Sequence, residues 1–372
     1  MPQRTALSGL SYKEIAALFA ASCPPLPELR ARQVFQRITA NFDNFDALTE
    51  LPLSARKELS THFTLRTTRI DGVFPAEDGT IKLRILTNDG CAIESVIMED
   101  GSGRRTACIS SQVGCPMGCI FCATGKLGFF RNLNTAEIIE QIYHIRNIEE
   151  DSSQDKKRKQ SGGQFENIVF MGMGEPLLNL EAVSKACAIL CGEKSERRFS
   201  PRRITVSTCG IAGKIYEFAR ILPDTRLAVS VTSAREELRR RLMPGADSLK
   251  EIKTALLDYQ KGDAGRRVTL EMTLFCGLNT SQKEARAVAS FAKGLSVMVN
   301  LIPWNPVIQK KDGGTIEFDG SRLLTPSFNE VQTFREQLRY LGINAVLRRS
   351  KGRGVLGACG QLGSTDKLES IE

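Results

Sequence analysis

From Arg105 onward the chain alternates short apolar stretches with helical ones, and this alternation constrains the fold more than any other feature. RTACISS, NIVFMG, RRITVS, RLAVSV, RVTLEMTLF and VMVNLIP read as strands. Between them lie segments such as TAEIIEQIYHI and LEAVSKACAIL, in which apolar residues recur every three or four positions. Repeated strand–helix units imply a parallel sheet covered by helices. Six units are too few to close an eight-stranded barrel, so the expected α/β architecture is a partial (β/α)6 barrel, open on one side. A last helix, SFNEVQTFREQLRYLG, and a strand, NAVLRR, lead into the tail GVLGACGQLG.

Ahead of this unit the periodicity differs. SYKEIAALFAA, LPELRARQVFQRIT and DALTELPLSARKELSTHF are helical, which predicts a small accessory domain over 1–65. TIKLRILT and CAIESVIM, bounded by Asp and Gly, predict a hairpin-like pair of strands within a β extension over 66–104. The barrel is then expected over 105–350, with surface insertions near 151–164 and 307–320, and the C-terminal tail over 351–372.

With 51 Lys and Arg against 42 Asp and Glu, the formal charge of +9 suits a polyanionic partner. No run of 18 apolar residues occurs, and MPQRTALSGLSYKE lacks an apolar core followed by a small-residue cleavage site. The expectation is a cytosolic protein without membrane association. Eleven cysteines in such a chain point to metal ligands, catalytic thiols or small buried residues before a disulfide framework. The two histidines, His62 and His144, argue against a multi-imidazole mechanism and are read as structural.

The chemistry concentrates in CISSQVGCPMGCIFCATGKLGF, where Cys115, Cys119 and Cys122 have C-x3-C-x2-C spacing in a loop carrying Gly114, Gly118 and Gly125. Glycines let a backbone wrap closely around a bulky group. Three thiolates can hold three irons of a [4Fe–4S] cubane and leave the fourth open. An open iron can take the amino and carboxylate groups of S-adenosylmethionine (SAM), reduce its sulfonium and release a 5′-deoxyadenosyl radical. Competing readings are three cysteines packed as small hydrophobes, or zinc with a fourth ligand elsewhere.

This loop resembles that of the radical SAM 23S rRNA adenine methyltransferases, the RlmN/Cfr family, most nearly the RlmN type. The likeness extends over nearly the whole chain, through CISSQVGCPMGCIFCATGKLGFFRNL, NIVFMGMGEPLLN, RRITVSTCG, LIPWNP and ACGQL. It implies that Gly174 and Glu175 contact the amino acid end of SAM, and that Ser207, Ser230, Val231, Thr232 and Asn305 also contact the cofactor. From the residues alone, MGMGEP reads first as a tight βα turn with a helix-capping Glu. The chain departs from the family at Ser230, Val231 and Thr232, where relatives carry Ser-Leu-His, and in SKGRGVLGACGQL, where relatives carry acidic residues just before the alanine.

The resemblance also implies a two-SAM reaction. One SAM methylates the thiolate of Cys359, and a radical from the second removes hydrogen from that methyl group. The methylene radical then adds to adenine, and Cys108 resolves the adduct, leaving a disulfide. Glu94 matches the carboxylate that takes the adduct proton. Cys23, Cys91, Cys187, Cys191, Cys209 and Cys276 match no catalytic position and are read as structural. The implied activity is C2 methylation of an adenosine in 23S rRNA, protein-free or early in assembly, and of tRNA, with flavodoxin or ferredoxin as electron donor. The alternatives are C8 methylation and a non-catalytic iron–sulfur RNA-binding protein. Basic clusters at Arg197, Arg198, Arg202 and Arg203, at 239–241, at Arg266 and Arg267, and at Arg348, Arg349, Lys351 and Arg353 are candidate RNA contacts.

Overall fold

The computed structural model describes residues 5–21, 26–39, 44–152, 165–192, 195, 198–261, 266–307, 316–348 and 350–363. Most of the first expected insertion, together with Cys23, Arg197, Arg349 and the last nine residues, lies outside them.

Ten strands form one sheet in sequence order. They are β1 (Thr68–Pro75), β2 (Ile81–Thr87), β3 (Ala92–Glu99), β4 (Arg105–Cys108), β5 (Asn167–Phe170), β6 (Ile204–Thr208), β7 (Arg226–Ser230), β8 (Val268–Leu274), β9 (Val297–Pro303) and β10 (Ala345–Leu347). From β1 to β4 the pairing is antiparallel. From β4 to β10 it is parallel. All six expected core strands form, and NAVLRR joins them as a seventh parallel strand. The hairpin pair forms as β2 and β3, with Ile81 opposite Ile97. β1 was not legible in the sequence: Asp71 and Gly72 interrupt its alternation, and its pairing with β2 shifts register between Ile70 and Gly72.

Helices α1 (Tyr12–Ala20), α2 (Glu28–Thr39) and α3 (Leu53–His62) precede the sheet. The parallel crossovers carry α4 (Ala123–Leu127), α5 (Thr135–Ser152), α6 (Leu180–Cys191), α7 (Ala212–Ile221), α8 (Glu236–Leu242), α9 (Leu249–Lys261), α10 (Gln282–Ala292) and α11 (Phe328–Tyr340). Helical periodicity places Ile138, Ile139, Ile142 and Ile145 of α5 against the core, all fully buried. Each such side chain contributes about 1.5–3 kcal/mol. α1 starts at a capping box in which Ser11 and Glu14 satisfy each other's backbone N–H.

The N-terminal segment is tied to the barrel by a buried carboxylate. Glu140 of α5 accepts hydrogen bonds from Ser8 Oγ at 2.6 Å, Thr67 N at 2.9 Å and Thr68 N at 2.8 Å. Burial raises its pKa, and these donors oppose the rise. His144 lies 2.9 Å from Thr68 Oγ1 in the same cluster, in keeping with a structural role.

The sheet is not closed: β1 and β10 are its two edges. The C-terminal tail links them. Leaving β10, it donates from Gly352 N to Asp78 Oδ2 at 2.9 Å in the β1–β2 turn, and from Gly363 N to Glu94 Oε2 at 2.7 Å on β3. The second expected insertion is not simply a surface loop at its described end. Ile316 and Leu323 are buried beside Met117, Phe121 and Trp304, in a hydrophobic cluster separate from the main core. Among the described residues no helix is long and apolar enough to cross a membrane.

Candidate active site

The thiolate loop is built on a strand end. Past β4 the backbone forms a small antiparallel pair, Gln112–Gly114 with Phe129–Asn132. Its turn-in requires glycine: Gly114 has φ +72°, and a Cβ there would lie 1.9 Å from Gly128 O. Cys115 N donates to Gly128 O at 2.8 Å, and Cys122 N to Cys119 O at 3.2 Å. Beneath the loop, Trp304 Nε1 donates to the Phe121 carbonyl at 3.1 Å, and Phe275 packs against both rings.

Cys115, Cys119 and Cys122 face one cavity of about 170 Å³ at the C-terminal ends of the parallel strands. Tetrahedral zinc would need its sulfurs about 2.3 Å from one centre. A four-iron cubane is a wider group whose corners three thiolates can meet separately, and the three loop cysteines that face one cavity fit it. In the thiol form, burial pushes Cys115 up to about 12 and raises Cys119 and Cys122 as well. Binding to cationic iron reverses that preference.

The expected cofactor residues gather around the same cavity with one exception. Gly174, Glu175, Ser207, Ser230, Thr232 and Asn305 line it. Val231 is 1% exposed, does not border the cavity, and donates its N–H to Glu271 O at 2.9 Å. At Gly174 a Cβ would sit 2.5 Å from Gln112 Cβ, at φ +99°. Glu175 is a cap and a cavity residue at once: its Oε1 accepts from Leu177 N at 3.1 Å and its Oε2 from Cys209 N at 2.8 Å. Burial raises its pKa, and those N–H groups oppose the rise.

Cys359 lines the cavity with the three loop thiols. The tail brings it there: Ala123 N donates to Gly360 O at 2.7 Å, Thr124 Oγ1 to Leu362 O at 2.7 Å, and Asn305 Nδ2 to Cys359 O at 3.2 Å. Cys108 ends β4, buried, and does not border the cavity. Burial pushes its thiol up to about 12; the charge of Cys359 raises it further and that of Arg348 lowers it. Among the described residues all ten cysteines are free, so the expected Cys108–Cys359 disulfide is not part of this structure.

Glu94 lies outside the cavity lining. It is 2% exposed on β3, with Oε1 accepting from Lys82 Nζ at 3.1 Å and Oε2 from Gly363 N. Lys82 is fully buried, and desolvation lowers its pKa against the pull of Glu94. Removing one partner strands the other. Glu94→Ala is expected to lower the free energy of unfolding by about 3–5 kcal/mol, read by urea denaturation of the cluster-loaded protein.

Sequence reading missed Glu271, which lines the cavity from β8. Its signal was a carboxylate inside an apolar strand, RVTLEMTLF. Cys209, read as structural, also lines the cavity. Two of the basic clusters have members held by protein groups. Arg239 is 1% exposed and donates to Cys209 O at 2.6 Å and Asp247 O at 2.7 Å, so it is no RNA contact. Near the tail, Arg353 Nε holds Asn305 Oδ1 at 2.7 Å and Lys351 Nζ holds Asp78 O at 3.3 Å. Arg348 faces the charges of Cys359, Glu271 and Cys108. Arg198, Arg202, Arg203, Arg240, Arg241, Arg267 and Arg353 are exposed.

Residues 109–287 match the Radical SAM superfamily. The chain is 44% identical over 364 residues to a probable dual-specificity RNA methyltransferase RlmN of Treponema denticola, covering 97% of this chain and 96% of that one. A protein of the same description from Thermus thermophilus is 39% identical over 321 residues, covering 86% and 84%. The crystal structure of a radical SAM methyltransferase from Sphaerobacter thermophilus superposes with a TM-score of 0.85 at 36% identity, covering 97% of this chain and 99% of that one. These likenesses run the length of the chain and include the thiolate loop and the tail, and the chain therefore belongs to the RlmN family of radical SAM RNA methyltransferases.

Proposed function

We propose that this enzyme methylates C2 of an adenosine in 23S rRNA, and of an adenosine in tRNA, through an S-methylated Cys359. The observation that carries the reading is that Cys359 and the three loop thiols line one cavity. C2 of adenine is too weakly nucleophilic for polar displacement, so a methyl carrier is needed beside a radical source. A [4Fe–4S] cluster on Cys115, Cys119 and Cys122, with two SAM per turnover and an electron from flavodoxin or ferredoxin, supplies the methyl group and the hydrogen-abstracting chemistry.

The protein's own groups do the rest. Gly174 and Glu175 take the amino acid end of SAM, and Ser207, Ser230, Thr232 and Asn305 take other parts of the molecule. Cys359 carries the methyl carbon and bonds it to the base. The adduct keeps an unpaired electron, which a cluster held on Cys115, Cys119 and Cys122 would take back, and Glu94 accepts its ring proton, which requires that the contact of Glu94 with Gly363 open. The Cys108 thiolate then attacks the Cys359 sulfur. A sulfur–sulfur bond forms, the sulfur–carbon bond breaks, and its electron pair leaves with the carbon, which takes a proton to become the product methyl group. The exposed arginines hold phosphates of a partly unfolded RNA in the cytoplasm, from whose stack the base is extruded.

Anaerobic incubation of reconstituted protein with SAM, a reductant and protein-free rRNA, followed by nucleoside mass spectrometry, is expected to yield 2-methyladenosine. 8-Methyladenosine would instead place the methyl group at C8. Neither product, with no 5′-deoxyadenosine formed, would leave a non-catalytic iron–sulfur RNA-binding protein.

A further inference from the structure

The cavity wall holds two buried polar atoms without a hydrogen bond from any described residue, although Arg348 faces the charge of one of them, Glu271. Glu271 is 5% exposed in the middle of β8. Its Oε1 accepts from Asn300 Nδ2 at 3.0 Å, while its Oε2 has no hydrogen-bond partner among the described residues. Thr232, two residues past β7, is 1% exposed, and its Oγ1 likewise has no partner. Both residues line the cavity that the loop thiols face.

They are also neighbours. Ser230 and Glu271 are paired in register, and Thr232 N donates to Glu271 O at 3.2 Å. Thr232 is held at φ +56°, a left-handed conformation that a β-branched residue avoids unless its surroundings impose it. Leaving a carboxylate oxygen and a hydroxyl buried without partners is unfavourable, and such pairs persist where a ligand answers them. A carboxylate oxygen asks for a donor, and a hydroxyl beside it can give or take. The rest of the wall includes Met171, Met243, Ile302 and Trp304, apolar surface suited to the faces of a flat ring.

We propose that Glu271 and Thr232 form a recognition edge for an adenosine, the carboxylate accepting from an N–H or O–H of the nucleoside and the hydroxyl pairing with a neighbouring polar atom. Adenine presents an amine donor beside a ring acceptor, which matches a carboxylate with a hydroxyl next to it. This rests on the functional reading above, under which an adenosine occurs in both the cofactor and the RNA target.

Glu271→Gln is a test by polarity. Asn300 Nδ2 keeps the amide oxygen as its acceptor, so the group turned into the cavity becomes an NH2 donor of nearly unchanged shape. Thr232→Val removes the hydroxyl alone. Two measurements separate the sources of adenosine: equilibrium dialysis of S-adenosylhomocysteine against reconstituted protein, and covalent protein–RNA adduct formation in a Cys108→Ala background at saturating SAM. Binding of S-adenosylhomocysteine weakened roughly tenfold or more by Glu271→Gln, and less by Thr232→Val, with iron content retained, assigns the edge to the cofactor. Unchanged binding with loss of the adduct assigns it to the target. No change in either measurement overturns the proposal, and if Glu271→Gln fails to fold, Thr232→Val decides alone. Wild-type protein that binds no S-adenosylhomocysteine would sink the functional reading instead, so the two failures are distinguishable.

Discussion

Cys359→Ala is expected to lose all methyl transfer, both to the protein and to RNA, while keeping its fold and its iron. The tail is held by groups other than this thiol. Gly360 and Leu362 carbonyls accept from Ala123 and Thr124, Gln361 Nε2 donates to Pro306 O at 2.8 Å, and Gly363 N donates to Glu94. The Cys359 carbonyl that Asn305 holds is main chain and survives the substitution. Only the sulfur is removed, and with it the atom proposed to carry the methyl group. Intact-protein mass spectrometry after anaerobic incubation with SAM should show no added methyl group, against one for wild type, and nucleoside analysis should show no methyladenosine. Absorbance of the iron–sulfur chromophore should match wild type. Turnover by the variant at the wild-type rate would remove Cys359 from the reaction.

How much of this arrangement could be read from the sequence depended on the range of the interactions involved. The parallel strands were legible because each is a short apolar run next to a helix of clear period, and the thiolate loop because its ligands lie within eight residues. β1 was not, since a bulge and an Asp-Gly step hide its alternation. Glu271 escaped because one carboxylate in an apolar strand gives no hint of which neighbour it faces; only the register that sets it beside Ser230 and Asn300 does. The arginines misled for a related reason. Charge clusters are visible in sequence, but whether Arg239 meets solvent or the carbonyls of Cys209 and Asp247 is decided by tertiary packing.

The tail gives the open barrel its purpose. A closed barrel would leave no lateral gap for a chain segment to cross, whereas here residues 350–363 run from one sheet edge to the other and set Cys359 against the loop thiols. The antiparallel strands β1 to β3 serve as the far abutment. Asp78 and Glu94, both on that extension, receive the tail's N–H groups, and the buried Lys82 fixes Glu94 in turn.

Cys108→Ala is expected to convert the enzyme into a trap, accumulating a covalent protein–RNA species instead of product. Cys108 ends β4, paired with Val96 on one side and Val169 on the other, so the sheet fixes its position and alanine fits the same backbone. Its thiol interacts electrostatically with Cys359 and Arg348. Burial holds the thiol near 12, so at neutral pH it rests protonated. The attacking thiolate fraction then rises as pH rises towards that value, and release of product by the wild type should quicken from pH 7 to 9. Without the sulfur no such attack is possible at any pH. A denaturing gel should show a slower band that nuclease collapses, present in Cys108→Ala, scarce in wild type and absent from the Cys108→Ala, Cys359→Ala double variant. A merely structural role for Cys108 gives a different result, lower methylation with no adduct, and that outcome would take the resolving step away from this residue.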